Sequence, residues 1–550
     1  MRKWLPLIII TLLAGILRFG NLSSQPPAPN WDEVSHGYNA YSILETGKDE
    51  WGISFPQIFR AFGDYKLPLY IYLTTIPVFF FGLSVFSIRF ISAFAGVLAI
   101  PGIFLLFSVL FPKKQITLKN KKIDLNIIAA LFLAIMPWHF FFSRPALEAN
   151  LALTLIIFGT YYLIKTKYLP SAILFALSLQ TYNTERIFVP AILLAFLAIF
   201  RPKIKFKIST LIAIVILSLS AFLVVSQIFT GEGTARYDKL KILSSNTVFQ
   251  IGQWRSSSTL PEPLPTIIYN RPTYLIKTVA ANYLTYFTPR FIFQQKGVQT
   301  QFAIPDHNLF TWPILILAII GVGYCLTHLK EKSSLFLLTW FFLSPLAASL
   351  TADPPQAIRP NPMIPAIICL SVLGLFWLIN KFTKYALHLL LLSITSTAIF
   401  FGLYVNDYYT IYTKDYSGSW QYGYEQVYQY VKENKDKYQN IFITKKYGEP
   451  HIFYAFFNQL KPSLLQPGKN NIRFNQSDWY WTDKIDNVYF INDWDIPSTD
   501  VHQLKLESGA VISTVNSLLV SSDHSPKNAN IQKTVKFLNG ETAFTISSLP

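Results

Sequence analysis

Charge is what this sequence has little of. Only 14% of its 550 residues are Asp, Glu, Lys or Arg, while 51% are hydrophobic; soluble domains carry about a quarter charged residues. An ordinary soluble fold is therefore excluded, and residence in a membrane is implied. Acidic residues are scarcer than basic ones, 30 against 47, for a formal net charge of +17. The basic residues sit in short loops between apolar runs, which argues for a lipid bilayer and against nucleic acid as the partner. Cysteine is nearly missing. Cys325 and Cys369 both lie in apolar segments, so neither a disulfide framework nor a cysteine metal site is implied. The eight histidines show no metal-ligand spacing, and there is no Walker loop, G-x-G-x-x-G or G-x-S-x-G elbow. Those absences argue against nucleotide binding. An activated group, if one is used, would arrive from the lipid phase.

What is present is a series of apolar runs. A spanning helix needs ~20 apolar residues to cross about 30 Å of hydrocarbon at about 1.5 Å per residue. The pattern predicts about eleven crossings, at 4–20, 87–110, 125–142, 148–164, 169–183, 187–200, 208–228, 311–329, 334–350, 363–380 and 385–405. The first run is short enough to be a signal peptide instead, although no clear small-residue cleavage site follows it. Basic residues crowd Arg2-Lys3, Lys113 to Lys122, Lys165 to Lys167, Arg201 to Lys207, Lys330 to Lys332 and Lys381 to Lys384. Placed in the cytoplasm, these loops leave 21–86, 143–147, 184–186, 229–310, 351–362 and the tail after 405 outside. The expectation is a multi-pass plasma (inner) membrane protein with a cytoplasmic N-terminus.

Residues 67–82 are apolar enough to be a twelfth crossing, but counting them would put the basic loop 113–122 outside. They are read as a juxtamembrane helix in the outer interface, with Tyr70 and Tyr72 at headgroup level; a true crossing is the alternative. From Asn406 the composition turns mixed. An amphipathic stretch at 423–434 and strand-like runs at 441–444, 488–491 and 534–538 predict an extracytoplasmic α/β domain over 406–550, after a transmembrane domain over 1–405.

Polar chemistry concentrates in the outer loops. Asp32 and Glu33 follow Pro26-Pro27-Ala28-Pro29-Asn30-Trp31, with Tyr38 and Tyr41 at helical spacing behind them. They are either solvated first-turn residues, with Asp32 as N-cap of a helix starting at 33, or a general base for an acceptor hydroxyl or amine. Asp64 and Lys66 lie in Gly63-Asp64-Tyr65-Lys66-Leu67-Pro68. There a lysine can neutralise phosphate, and a carboxylate can orient an acceptor or hold a divalent metal. Arg144 and Glu148 flank a short turn, as a mutual ion pair, as a snorkelling arginine, or with Arg144 on a lipid phosphate. Arg186 and Arg359 add two outer arginines, which together make an anion site more plausible than any one of them does.

The order of these features resembles the polyprenyl-phosphate-sugar-dependent glycosyltransferases of the GT-C type. Within them it resembles in particular the group containing protein O-mannosyltransferases and lipid A aminoarabinose transferases, and is glycosyltransferase family 39-like. The matching elements are a first helix ending in Arg18, then Asp32-Glu33 with Tyr38 and Ala40, then Gly63-Asp64-Tyr65-Lys66-Leu67-Pro68-Leu69-Tyr70. Phe81-Gly82-Leu83-Ser84, Arg89, Ser92-Ala93, Gly96 and Ser143-Arg144-x-x-x-Glu148 follow. The likeness covers roughly residues 1–200, and the later helices fit by layout.

The resemblance implies a mostly α, polytopic GT-C fold and an inverting glycosyltransferase with a polyprenyl-phosphate sugar as donor. Asp32, beside Glu33, takes the place of the catalytic base, Lys66 that of the lysine near the donor, and Arg144 that of the phosphate-contacting arginine. Leu67 replaces a proline and Glu148 an aspartate of the family pattern. No cofactor is then required, although Asp64 keeps a divalent metal open. The outer loop 229–310 would cover the acceptor side, the acceptor being a protein, a lipid or a cell-wall glycan. A lipid-linked glycan flippase and a non-catalytic membrane scaffold are the rival readings.

Overall fold

A computed structural model describes all residues except 1–3, 119–120, 205–206, 230–240, 295–298, 469–470, 478 and 523. Arg2 and Lys3, the middle of the basic loop at Lys119-Asn120, Lys205-Phe206 and two stretches of the loop 229–310 thus lie outside the described residues. In chain order the first helices are α1 (Leu5–Phe19), α2 (Trp31–Thr46), α3 (Pro68–Phe81), α4 (Val85–Leu110), α5 (Leu125–Ala134), α6 (Pro137–Phe142), α7 (Glu148–Ile164), α8 (Tyr168–Leu179), α9 (Glu185–Phe200) and α10 (Ile208–Phe229). Two short hairpins, β1 (Phe59–Arg60) with β2 (Tyr65–Lys66) and β3 (Gln115–Leu118) with β4 (Lys121–Asp124), precede the strands of the C-terminal region. The chain divides into two compact units. One comprises Met1–Arg18, Phe94–Ser143 and Glu148–Val405; the other comprises Phe19–Ala93, Arg144–Leu147 and Asn406–Pro550.

The first unit is helical. Among the described residues four helices are long and apolar enough to cross a membrane: Val85–Leu110, Ile208–Gln227, Met363–Lys381 and Thr383–Asp415. Several expected crossings are shorter or broken, and proline is the cause in two of them. Pro137 opens α6 and splits the run 125–142 into α5 and α6, and Pro345 divides 334–350 into Lys332–Leu343 and Leu346–Ser349. Proline lacks the N–H that a continuing helix needs and disfavours α conformation in the residue before it.

Helix ends in this unit sort by charge. Lys114 bonds Glu331 at 3.1 Å, and Lys332 donates to the Phe200 carbonyl at 3.0 Å, so three of the basic loops meet at one end. At the opposite ends of these helices, Asn361 donates to the Ala149 carbonyl at 2.7 Å and Asn282 to that of Thr351 at 2.9 Å. Helices Trp312–Thr327 and Met363–Lys381 cross at glycines. A Cβ on Gly321 would stand 1.9 Å from the Leu370 carbonyl oxygen, and one on Gly374 2.0 Å from that of Leu317. Backbones this close are how apolar helices gain dispersion contact in lipid, where the hydrophobic effect does not drive them together.

The second unit joins the loop after α1 to the C-terminal domain. Its strands β5 (Asn440–Thr444), β6 (Asn471–Gln476), β7 (Trp479–Ile485), β8 (Val488–Ile491), β11 (Ser517–Ser521), β12 (Asn530–Lys536) and β13 (Thr542–Leu549) form one sheet, ordered β12-β13-β11-β5-β8-β7-β6. Strand β5 runs parallel to β8 and β11, and the other pairs are antiparallel. Strands β9 (Gln503–Lys505) and β10 (Val511–Ser513) pair separately. The amphipathic stretch is the helix Tyr424–Asn434, and two of the three expected strands are β5 and β8; the third is β12, which begins four residues before the expected Thr534. Phe442, Ile491, Leu504 and Leu519 belong to a core cluster against the sheet.

Helix α3 packs on α2, burying Tyr70, Thr74 and Val78, while Ile76, Phe79, Phe80 and Phe81 are exposed. Its 14 residues rise about 21 Å, short of a full hydrocarbon core. Gly37 of α2 is where Ile88 and Phe456, from the helix Pro450–Phe457, approach to distances that leave no room for a Cβ.

Candidate functional site

Asp32 and Glu33 are adjacent in sequence and opposite in environment. Asn30, not Asp32, is the N-cap of α2, and Glu33 is the third helical residue. The Asn30 side chain accepts from the Glu33 N–H at 3.0 Å, and Glu33 accepts from the Asn30 N–H at 3.1 Å. This reciprocal box satisfies two donors that a helix start otherwise leaves open. The box turns Glu33 inward, where Arg89 grips both its oxygens at 2.9 and 3.1 Å and the Ala146 N–H reaches Oε1 at 2.8 Å. Arg89 also donates to the carbonyls of Leu22, Pro26 and Ala28. One buried pair thus ties the loop after α1, the start of α2, helix α4 and the Arg144–Leu147 turn together.

Asp32, one position earlier, faces outward with 52% of its side chain exposed and pairs with Lys66 Nζ at 2.8 Å. Lys66 is presented by β2, is itself largely buried, and donates also to the Asp32 carbonyl at 3.1 Å. A half-exposed pair contributes about 0–1 kcal/mol to stability. It does little for the fold; it leaves a carboxylate and an ammonium side by side within reach of solvent. His36, one turn further along α2, is pushed well below its ordinary value by burial and then by the Lys66 charge, so its imidazole stays neutral.

The other residues singled out in the sequence are distributed as follows. Asp64 sits in the turn before Lys66 and accepts from the Tyr65 N–H at 2.6 Å. Tyr38 is buried and donates to the Leu460 carbonyl at 3.0 Å. Arg144 is buried, donates to the carbonyls of Gly20, Asn21 and Gln25, and lies 5.5 and 5.4 Å from the ring centroids of Tyr408 and Tyr409. All of these belong to the second unit. Glu148, Arg186 and Arg359 belong to the first. Glu148 opens α7. Arg186 bonds Gln227, and Arg359 is held bidentately by Asp353 and also by Thr351. Among the described residues no three His, Cys, Asp or Glu side chains converge as a metal site.

Sequence reasoning overlooked Glu449, His451, Glu50 and Arg473, and it passed over Asp353 as the partner of Arg359. Arg473 pairs with Glu50 at 2.9 Å and stacks 3.4 Å from the Trp51 ring centroid. Glu449 precedes the helix Pro450–Phe457 in a left-handed conformation (φ 48°), makes no side-chain cap bond to it, and accepts from Trp479 Nε1 at 2.7 Å. Only the capping box had a local signal, Asn30-x-x-Glu33.

With the geometry in view, comparison with known proteins is informative. No family model matches the chain, and no curated protein does so by sequence. Among solved structures, it superposes on ArnT from Cupriavidus metallidurans bound to undecaprenyl phosphate with a TM-score of 0.51 at 11% identity, over 99% of this chain and 98% of that one. What the two share is a fold. The apo form of the same protein gives a TM-score of 0.48 at 10% identity over the same shares of the two chains. The apo Archaeoglobus fulgidus oligosaccharyltransferase gives 0.45 at 15% identity over 83% of this chain; the chain spans only 63% of that protein's length. The GT-C layout implied by the sequence resemblance, a mostly helical body with a C-terminal sheet domain, is thus the fold found.

Proposed function

We propose that this chain is a membrane glycosyltransferase that moves a sugar, with inversion, from a polyprenyl-phosphate donor to an acceptor on the outer face of the membrane. The observation that carries the proposal is the solvent-reachable Asp32–Lys66 pair at the start of a rigidly anchored helix. The fold likeness to ArnT bound to undecaprenyl phosphate supports the donor class. Asp32 takes the proton of an acceptor hydroxyl or amine as its oxygen or nitrogen attacks the anomeric carbon. The bond from that carbon to the phosphate oxygen breaks, and polyprenyl phosphate leaves with the electron pair. Lys66 stabilises the charge growing on the phosphate.

Arg144, which donates to the carbonyls of Gly20, Asn21 and Gln25, is a candidate for the donor phosphate, as the resemblance implies. Arg186 and Arg359 are the further candidates for the donor phosphate, and Glu148, Asp64 and Tyr38 for the acceptor side. No step here runs through a metal. The acceptor is an outer-face protein, lipid or cell-wall glycan. The test has two arms. Mass spectrometry of lipid co-purified with the protein is expected to show a polyprenyl phosphate, and Asp32→Asn is expected to lower transfer by about 10²–10⁴ without changing the yield of folded protein. A fully active Asp32→Asn enzyme would overturn the catalytic assignment.

A further inference from the structure

The Glu449 carboxyl lies inside the second unit, 417 residues from Asp32 in sequence. The turn that carries it is wedged against Trp31, the residue just before Asp32. At Gly448 (φ 81°) a Cβ would lie 2.2 Å from the Trp31 ring, so only glycine lets the turn come this near. Gln421 clamps the same contact: its Oε1 accepts from the Trp31 N–H at 2.8 Å, and its amide donates to the Tyr447 carbonyl. The Trp31 ring in turn lies against Phe62, whose ring is 5.9 Å from both His451 and, within a tenth of an ångström, the Lys66 ammonium.

We propose that Glu449 is a positioning residue for Asp32: through its bond to Trp479 it fixes the Tyr447–Pro450 turn against Trp31, and so sets where the Asp32 carboxylate stands. The proposal rests on the reading of Asp32 as the reacting carboxylate. Glu449 is buried, accepts from Trp479 Nε1 at 2.7 Å, and has His451 Nδ1 3.4 Å from its other oxygen. The charged groups around it are already engaged. Lys445 is held by Asp483 at 2.6 Å and Glu507 at 2.9 Å, and Arg473 by Glu50 at 2.9 Å. His451 offers no positive charge, since burial, then Arg473 and Lys445, push it well below its ordinary value.

Burial pushes Glu449 up to about 8, against the lowering by the Trp479 bond and Lys445. The neutral acid therefore holds the turn at neutral pH. Ionisation puts an unneutralised carboxylate among Trp479, His451 and the rings around them, and favours opening of the turn to water.

The experiment is hydrogen–deuterium exchange of residues 28–36 in the full-length protein in nanodiscs, from about pH 6 to about pH 9 and corrected for intrinsic exchange, alongside the pH profile of transfer. Opening linked to this ionisation rises by up to about tenfold per pH unit as pH approaches the folded value of about 8 and levels off above it. Wild type is expected to show that rise and a matching alkaline fall in kcat, with KM for an undecaprenyl-phosphate sugar unchanged. Glu449→Gln is expected to remove both effects, and Glu449→Ala to leave the segment open at every pH. A Glu449→Gln protein that keeps the wild-type exchange profile and alkaline limb overturns the positioning role while leaving Asp32 untouched. Asp32→Asn is expected to stop transfer without altering the exchange profile, which separates failure of the catalytic reading from failure of this one.

Discussion

Neighbouring carboxylates acquire opposite roles when one turn of helix buries one and exposes the other. Removing one partner of a buried ion pair costs about 3–5 kcal/mol, because the other charge is left unneutralised, whereas an exposed pair contributes about 0–1 kcal/mol. Glu33 and Arg89 are buried and Asp32 is half-exposed, so the two positions should separate stability from activity. Arg89→Met is expected to lower the melting temperature steeply or abolish folding. Asp32→Asn is expected to shift it little and to lower kcat by about 10²–10⁴, the range for losing a general base. Thermal unfolding followed by fluorescence, with transfer assayed on the same samples, checks both. Equal destabilisation by the two substitutions would refute the division of labour.

Glu449 adds a linkage prediction at the same scale. Its folded value of about 8 lies above the ordinary 4.5, so the folded state retains this proton where the unfolded chain has released it. Stability from this group is therefore fully present below about pH 4.5 and is lost as pH rises to about 8, by at most about 1.4 kcal/mol per pH unit. Glu449→Gln, which cannot ionise, is expected to be more stable than wild type at pH 8 by a margin that shrinks toward pH 5. A margin independent of pH would show that the carboxyl does not titrate in this window.

At the scale of elements, the contact most sensitive to substitution is the crossing of Trp312–Thr327 with Met363–Lys381. Gly321 and Gly374 each face backbone of the other helix, and backbone cannot rotate aside as a side chain can. Overpacking usually costs about 1–3 kcal/mol, and here the helices must separate. Gly374→Leu is therefore expected to cost at least that much, read as loss of monodisperse protein in size-exclusion chromatography, whereas Gly402→Leu, at a site with open space around it, is expected to be tolerated.

The same contrast explains what could be read from sequence. Apolar runs, the amphipathic helix Tyr424–Asn434 and strands β5 and β8 carry their signals locally. Asp32 and Lys66 stood out because each lies in a polar loop beside apolar runs. The partners that decide their neighbours' roles do not announce themselves: Arg89 meets Glu33 across 56 residues and Arg473 meets Glu50 across 423. Pairings of that range are fixed by tertiary packing and leave no periodic trace. Of the two readings of Asp32, the cap fails because Asn30, with Glu33 three residues on, is the pattern that makes the box.

For the whole molecule, the sorting of helix ends bears on orientation. The basic loops around Lys114, Phe200 and Glu331 gather at one end of the helical unit, and clusters of Lys and Arg are retained on the cytoplasmic side during insertion. If that end is cytoplasmic and Thr383–Asp415 crosses once, the chain that follows it emerges on the outer side. The two native cysteines are buried, so a single introduced cysteine can report sidedness with little background. Gln115→Cys, in the exposed hairpin β3–β4, is expected to react with a membrane-impermeant maleimide only after permeabilisation of spheroplasts. Ser508→Cys, exposed in the C-terminal domain, is expected to react in intact ones. The reverse pattern would invert the topology and with it the outer-face acceptor, while labelling of both sites before permeabilisation would mean one crossing more or fewer between them, for which the short helix pairs around Pro137 and Pro345 are the first places to look.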